Sequence, residues 1–199
     1  MKILAFSDIH GSVKALKIIK KKSKFADLII CCGDFTIFGN GIQSILKLFN
    51  SFNKQVLLIA GNHEDHLNLE KICRQYDNII YLHNKGIVIN NIFFFGNSAN
   101  GFTYDDKAFE NEIKHVIPIL KKYKDKKKVL LTHASPFGTK ADLVIDRHCG
   151  NKSIRHFLIE NKIDYNFCGH IHEAANTITQ IQKTVVVNSG AYGVVINIS

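Results

Sequence analysis

Proline is scarce in this 199-residue chain, occurring only as Pro118 and Pro136. No Gly/Ser/Pro-rich linker and no repeat of fixed period interrupts the sequence, so nothing marks a domain boundary. At 46% hydrophobic residues the length suffices for one sizeable core, and a single domain over residues 1–199 is expected. Paired cysteine spacing is missing too. The five cysteines (Cys31, Cys32, Cys73, Cys149 and Cys168) are odd in number and never spaced C-x-x-C, which argues against a zinc knuckle, a redox pair and a disulfide framework. They read as reduced, mostly buried thiols. Long apolar runs are absent at the start: "MKILAFSDIH" offers four apolar residues before Ser7 and Asp8, too few for a signal peptide or a membrane span. A cytoplasmic protein with no membrane partner is the expectation. Arginine is the last scarcity, with Arg74, Arg147 and Arg155 the only three among 26 basic residues, so lysine carries most of the formal charge of +9. Such a field attracts polyanions, yet lysine lacks the forked donors of arginine. The runs "KALKIIKKKSK" and "KKYKDKKK" read better as solvated helix faces or helix ends. Nucleic acid is therefore permitted as a partner and not favoured, and the oligomeric state stays open.

What is present is a series of short apolar strands: "ILAF" (3–6), "LIICC" (28–32), "VLLIA" (56–60), "KVLLT" (128–132) and "YNFC" (165–168). Between the first three lie amphipathic stretches, with Val13, Leu16 and Ile19 on one face and Ile42, Ile45, Leu46 and Phe49 on another. This is a βαβαβ opening. Strands that are continuously apolar rather than alternating call for a sheet covered on both faces. Further on, "GIVINNIFFFG" reads as a hairpin turning at Asn90-Asn91, and the segment from Ala175 to the end reads as three strands. A mixed α/β fold with two packed sheets follows.

Each predicted strand is followed by a group able to bind metal. Asp8 and His10 follow the first, Asp34 the second, Asn62 and His63 the third, His133 "KVLLT", and His170 and His172 "YNFC". Ligands of open α/β sheets bind at the carboxyl ends of strands, so residues from position 8 to position 172 are expected to converge. Taken singly, D-x-H and GD are weak signals, while "GNHE" (61–64) and "GHIH" (169–172) are moderately specific. Their order along the chain carries the weight.

That order resembles the calcineurin-like metallophosphoesterase superfamily over nearly the whole chain. The resemblance implies an α/β fold, a four-layer αββα sandwich of two mixed β-sheets flanked by helices, with two divalent metals at the strand ends. It implies that Asp8, His10, Asp34 and His172 hold one ion and that Asp34 bridges to a second held by Asn62, His133 and His170. His63 would face the leaving group as general acid. The residue types suit that chemistry on their own terms. Mixed carboxylate, amide and imidazole donors fit Mn, Fe, Co, Ni or Zn, of which Mn is favoured. Two such ions clamp the attacking and leaving oxygens of an in-line displacement and acidify a bridging water to a hydroxide nucleophile. A histidine can protonate an alkoxide leaving group near neutral pH.

One departure bears on the substrate. The protein phosphatase branch continues GD as GDxxDRG, whereas this chain reads "GDFTIFG", with Ile37 and Phe38 where that Asp and Arg would stand. The stretch "THASPFGTKADL" looks instead like the small phosphodiesterase-like members. A phosphodiesterase acting on cyclic nucleotides or small nucleotide-like esters is expected. A DNA or RNA nuclease or a phosphomonoesterase is the alternative, and a non-catalytic protein-binding scaffold is the reading from another class. Lys140, Arg147, Asn97, Phe102 and Tyr104 are candidates for contact with a substrate, each weighed against an ordinary loop role. His66, His83, His115, His148 and His156 are read as surface or loop residues.

Overall fold

The computed structural model describes residues 1–98 and 101–198; Ala99, Asn100, Ser199 and the side chain of His66, read above as a surface or loop residue, lie outside the described residues. The first half runs β1 (Lys2–Phe6), α1 (Val13–Ser23), β2 (Leu28–Cys31), α2 (Ile42–Asn50), β3 (Val56–Leu58), α3 (His66–Cys73), β4 (Ile79–Tyr81), β5 (Lys85–Ile89) and β6 (Ile92–Asn97). The second runs α4 (Lys107–Ile113), α5 (Ile117–Lys122), β7 (Lys127–Thr132), β8 (Leu143–Val144), β9 (Arg147–His148), α6 (Lys152–Glu160), β10 (Tyr165–Cys168), β11 (Thr177–Ile181), β12 (Thr184–Asn188) and β13 (Val194–Asn197).

Helices start where the sequence supplies an acceptor for their free amides. Ser12 caps α1, Asp65 caps α3, Asp106 caps α4 and Asn151 caps α6 through side-chain oxygens. The strands assemble into two large sheets. One has the order β13-β1-β2-β3-β4, with β1 to β4 parallel and β13 antiparallel at the edge. The other has the order β11-β12-β10-β7-β6-β5, parallel in its centre and closed on each side by an antiparallel edge strand. Asn90 and Asn91, both at positive φ, make the β5–β6 turn that the sequence predicts.

Apolar side chains fill three layers. Ile3, Ile30 and Leu57 of the first sheet meet Phe94, Leu131 and Phe167 of the second to form the middle one. The outer face of the first sheet is covered by α1, α2 and α3 through Ile19, Leu46, Phe49 and Leu69. That of the second is covered by α4, α5 and α6 through Phe109, Leu120 and Phe157. The result is helix, sheet, sheet, helix, the arrangement expected from strands apolar on both faces. No helix among the described residues is long and apolar enough to cross a membrane.

Because the central strands of each sheet are parallel, their carboxyl ends lie on one edge, and the loops leaving them are tied together. Asp8 N–H donates to Gly33 O at 3.1 Å, His10 N–H to Asp34 O at 3.0 Å and Gly169 N–H to His133 O at 2.9 Å. Gly61 is required by this closeness, since a Cβ there would sit 2.1 Å from Asp34 Oδ1.

Candidate metal centre

Four of the residues placed at these strand ends adopt left-handed backbone: Asp8 (φ 55°), His10 (φ 46°), Asp34 (φ 50°) and His170 (φ 68°). Such conformations cost energy outside glycine and persist only where surrounding structure holds them. Here they turn side chains inward from both sheets. Asp8 and His10 follow β1, Asp34 follows β2, and Asn62 and His63 follow β3; His133 follows β7, and His170 and His172 follow β10.

The seven expected ligands and His63 thus come into one cluster. Three groupings place donor atoms close enough to hold an ion: Asp8, His10 and His172; His10, Asp34 and His63; and Asp34, His133 and His170. Asp34 belongs to two of them. Its Oδ2 is 3.3 Å from His133 Nε2, 3.9 Å from His10 Nε2 and 4.0 Å from His63 Nε2. Asn62 joins through Oδ1, 3.0 Å from His133 Nε2.

Backbone carbonyls decide which ring nitrogen of His133 and His10 is turned to the cluster. His133 Nδ1–H donates to Cys32 O at 2.8 Å, so Nε2 is the nitrogen that faces Asp34, Asn62 and His170. His10 Nδ1 is likewise turned to Thr36 O at 3.3 Å, so its Nε2 faces His172 Nε2 at 3.3 Å. Where these nitrogens are unprotonated their lone pairs converge on one space, and carboxylate, amide and imidazole are a donor set that divalent transition ions accept. The residues present fit such ions.

Protonation reports the same demand. Burial opposes charge on His133, yet the hydrogen bond and charge of Asp34, with the charge of Asp8, raise its pKa to about 9. His170, half-buried, is pushed down to about 4 by desolvation and by the positive charge of His133. Burial likewise opposes ionisation of Asp8 and Asp34, but hydrogen bonds and charge from His172 and His133 hold Asp8 low, and those of His133 and His63 hold Asp34 low. A proton on His133 stands where a metal would, so metal and proton compete for the cluster.

Glu64 is a site residue that sequence reasoning missed. Buried beneath the cluster, its carboxylate accepts from Asp34 N–H at 2.8 Å, Thr36 N–H at 2.9 Å, Gly61 N–H at 3.0 Å and Thr36 Oγ1 at 2.6 Å. It clamps the loop after β2 to the loop after β3. The available signal was its place in "GNHE", three residues from Gly61. Glu64→Ala is expected to destabilise the metal-free protein by at least about 3 kcal/mol, since each buried donor left unpaired costs about 1–3 kcal/mol. It should also weaken metal binding by roughly 10–100-fold, as loss of a supporting hydrogen bond does. Urea unfolding in chelator and a manganese titration check both; a stability change below about 1 kcal/mol would remove the clamp.

Other expectations fall out differently. Asn97 is not at the rim: it is buried, donates to Asn84 Oδ1 and Glu112 Oε2, and lines a cavity of about 260 Å³ behind Gly61 and Glu64. The reason is register, because Asn97 closes β6 inside the second sheet, paired with Thr132. His83, read as a surface or loop residue, is half-buried, and its Nδ1 accepts from Ser98 N–H at 3.1 Å. His115 and His156 are exposed. Lys140 is exposed in a short 3₁₀ turn. Arg74 pairs with Glu70 at the end of α3, and Arg155 donates to Phe137 O and Gly138 O. Phe102 lies against the centre, its ring centroid 4.4 Å from that of His170. Phe38, exposed and itself at positive φ, packs its ring on His63 at 4.4 Å and points its N–H at His63 Nδ1 from 3.4 Å.

A fold of this kind, with Asp and His donors converging at the strand ends, finds its counterpart in one family profile. The calcineurin-like phosphoesterases match residues 1–174, and the chain belongs to that family. The family typically binds two divalent metals, and membership indicates hydrolysis of phosphate esters. Among individual proteins, the chain is 36% identical to an uncharacterized protein of Methanocaldococcus jannaschii over 94% of its own length and 87% of that protein's. Its fold is similar to a solved structure from Thermus thermophilus, with a TM-score of 0.75 and 13% identity over 96% of this chain and 90% of the other. A dimetal phosphatase from Danio rerio is similar at TM-score 0.66 and 9% identity, covering 96% and 88%.

Proposed function

We propose that the chain is a dinuclear metal-dependent phosphodiesterase acting on small nucleotide-like esters. The observation that carries this reading is the position of Asp34, whose carboxylate is shared between two sets of donors. On this reading Asp8, His10, Asp34 and His172 hold one ion, and Asp34, Asn62, His133 and His170 hold the other. Two divalent ions there would neutralise charge on the phosphoryl oxygens and acidify a water that serves as nucleophile. The chain's own groups do the rest. Asp34, anchored by His63 N–H on Oδ1 at 2.8 Å, is the carboxylate that would be shared by the two ions. His63 holds a proton on Nε2, because Phe38 N–H occupies the direction of Nδ1, and delivers it to the departing oxygen. Glu64 keeps the two loops that carry Asp34, Asn62 and His63 in register.

Phe38 also supports a diester over a monoester. A monoester dianion carries more charge, and sites specialised for it add an arginine fork whose donors match the extra oxygens. Phe38 offers no cation at that place, Arg74 and Arg155 are engaged elsewhere, and Arg147 lines a separate depression with Tyr104 and Lys152. Manganese-loaded protein is expected to hydrolyse bis(p-nitrophenyl) phosphate with a higher kcat/KM than p-nitrophenyl phosphate, with both activities lost in chelator. A clear preference for the monoester would make the protein a phosphatase instead.

A further inference from the structure

Two surface depressions share Tyr104. One is lined by Phe102, Tyr104 and Cys149 together with His170, and so opens against a candidate ligand of the second ion. The other, of about 390 Å³, is lined by Tyr104, Phe137, Arg147, His148 and Lys152. The first is aromatic and the second is basic. Phe102 is 81% exposed although it lies against His170, and Tyr104 is 50% exposed. Both rings therefore offer a face to a ligand bound beside His170.

The basic end is fixed rather than loose. The Tyr104 hydroxyl donates to His148 O at 3.0 Å, and Lys152 N–H donates to Tyr104 O at 2.7 Å, joining the loop before α4 to β9 and to the start of α6. Lys152 Nζ stands 5.4 Å from the Tyr104 ring centre and 5.3 Å from that of Phe137. His148 is anchored on the buried carboxylate of Asp142 at 2.9 Å, and Asp142 is otherwise held by the N–H groups of Gly138, Thr139 and Gly150. Among the described residues no carboxylate comes within ion-pair distance of Arg147 or Lys152, so the two cations of the second depression lack acidic partners.

We infer that this track is a second subsite of the same active site. It takes a nucleotide carrying a further phosphate: the scissile phosphate lies at the metals, the nucleoside packs on Phe102 and Tyr104, and the second phosphate is bound by Arg147 and Lys152. The chemistry is complementary at each step, since a base stacks on an exposed ring and a phosphate dianion pairs with unpartnered cations. A cyclic mononucleotide or a plain diester has one phosphate and would leave the basic end unused. The inference therefore favours linear nucleotides with two phosphates, and it rests on the phosphodiesterase reading of the metal centre.

Binding separates the two ideas, because it needs no turnover. Calorimetry on manganese-loaded protein, with adenosine 3′,5′-bisphosphate and with adenosine 5′-monophosphate as probes, is expected to show the bisphosphate binding about tenfold tighter or more, the scale of one charge-assisted hydrogen bond. The double substitution Arg147→Ala, Lys152→Ala should bring that ratio near one, and Phe102→Ala should weaken both probes together. Kinetically, a 3′-phosphate added to the p-nitrophenyl ester of thymidine 5′-phosphate should lower KM and leave kcat alone. Equal affinity for the two probes in the unaltered protein, or a preference that survives the double substitution, would overturn the subsite. Failure of the unaltered protein to hydrolyse bis(p-nitrophenyl) phosphate would count against the phosphodiesterase reading instead.

Discussion

Asp34→Asn is expected to cost the protein its ability to retain a pair of divalent ions and to lower phosphodiester turnover by roughly 10³-fold or more, the scale of removing a preorganised electrostatic contact. Two like-charged ions at short range repel, and only a negative group between them offsets that repulsion. Asp34 is the buried carboxylate common to the donor sets that include His10 and His133. Asparagine has the same shape and can still accept from His63 N–H, so the fold should persist while the charge is gone. Asp8→Asn, by contrast, should mainly weaken one ion, because Asp8 contributes to a single donor set. Elemental analysis after dialysis against manganese decides the matter. Two ions per chain in Asp34→Asn would refute the bridging role.

His63→Ala should keep both ions and lose rate according to the leaving group. A positioned general acid contributes about 10²–10⁴-fold, and the full loss is expected for alkyl phosphodiesters, whose alkoxides need a proton to depart. Nitrophenolate leaves without one, so the same variant should be impaired far less on bis(p-nitrophenyl) phosphate. His63 is only partly exposed, with its Nε2 on the Asp34 side and its ring between Phe38 and His10. A purely structural histidine in that position would slow both substrates alike. Equal losses for the two ester types would take the acid role away from His63.

Much of this arrangement was legible in the sequence because local pattern and tertiary placement coincide. Runs such as "LIICC" and "VLLIA" are apolar on both faces, which requires helices on one side and another sheet on the other, and parallel strands put their carboxyl ends on one edge. Asp8, Asp34, His133 and His170 could be marked for that reason. What the sequence did not disclose depends on partners remote in the chain. β13 reads like the third strand of the C-terminal run, yet it pairs with β1 in the first sheet while β11 and β12 close the second. Its half-exposed residues fit either edge, so the choice lies in long-range packing and not in its own side chains. Glu64 looked like a continuation of "GNHE"; only its burial against three backbone amides identifies it as a clamp. Phe38 read as the absence of an arginine. Its left-handed backbone, exposed ring and contact with His63 come from the loop's path around Thr36, whose hydroxyl accepts from Gly39 N–H and donates to Glu64.

The division of donors between the two sheets has a further consequence, one of chain topology. The grouping of Asp8 and His10 with His172 joins a loop of the first sheet to one of the second, and that of Asp34 with His133 and His170 does the same. An ion in either place would be a removable cross-link between the two halves of the sandwich. Closing a loop of about 100 residues in the unfolded chain is worth about 4–5 kcal/mol on the entropic account of disulfides. The five cysteines form no disulfide, so the protein has no covalent tie of this kind. The apolar layer between the sheets would hold them together without metal, and bound ions would add to that hold, so metal supply would bear on the protein's stability as well as on its turnover.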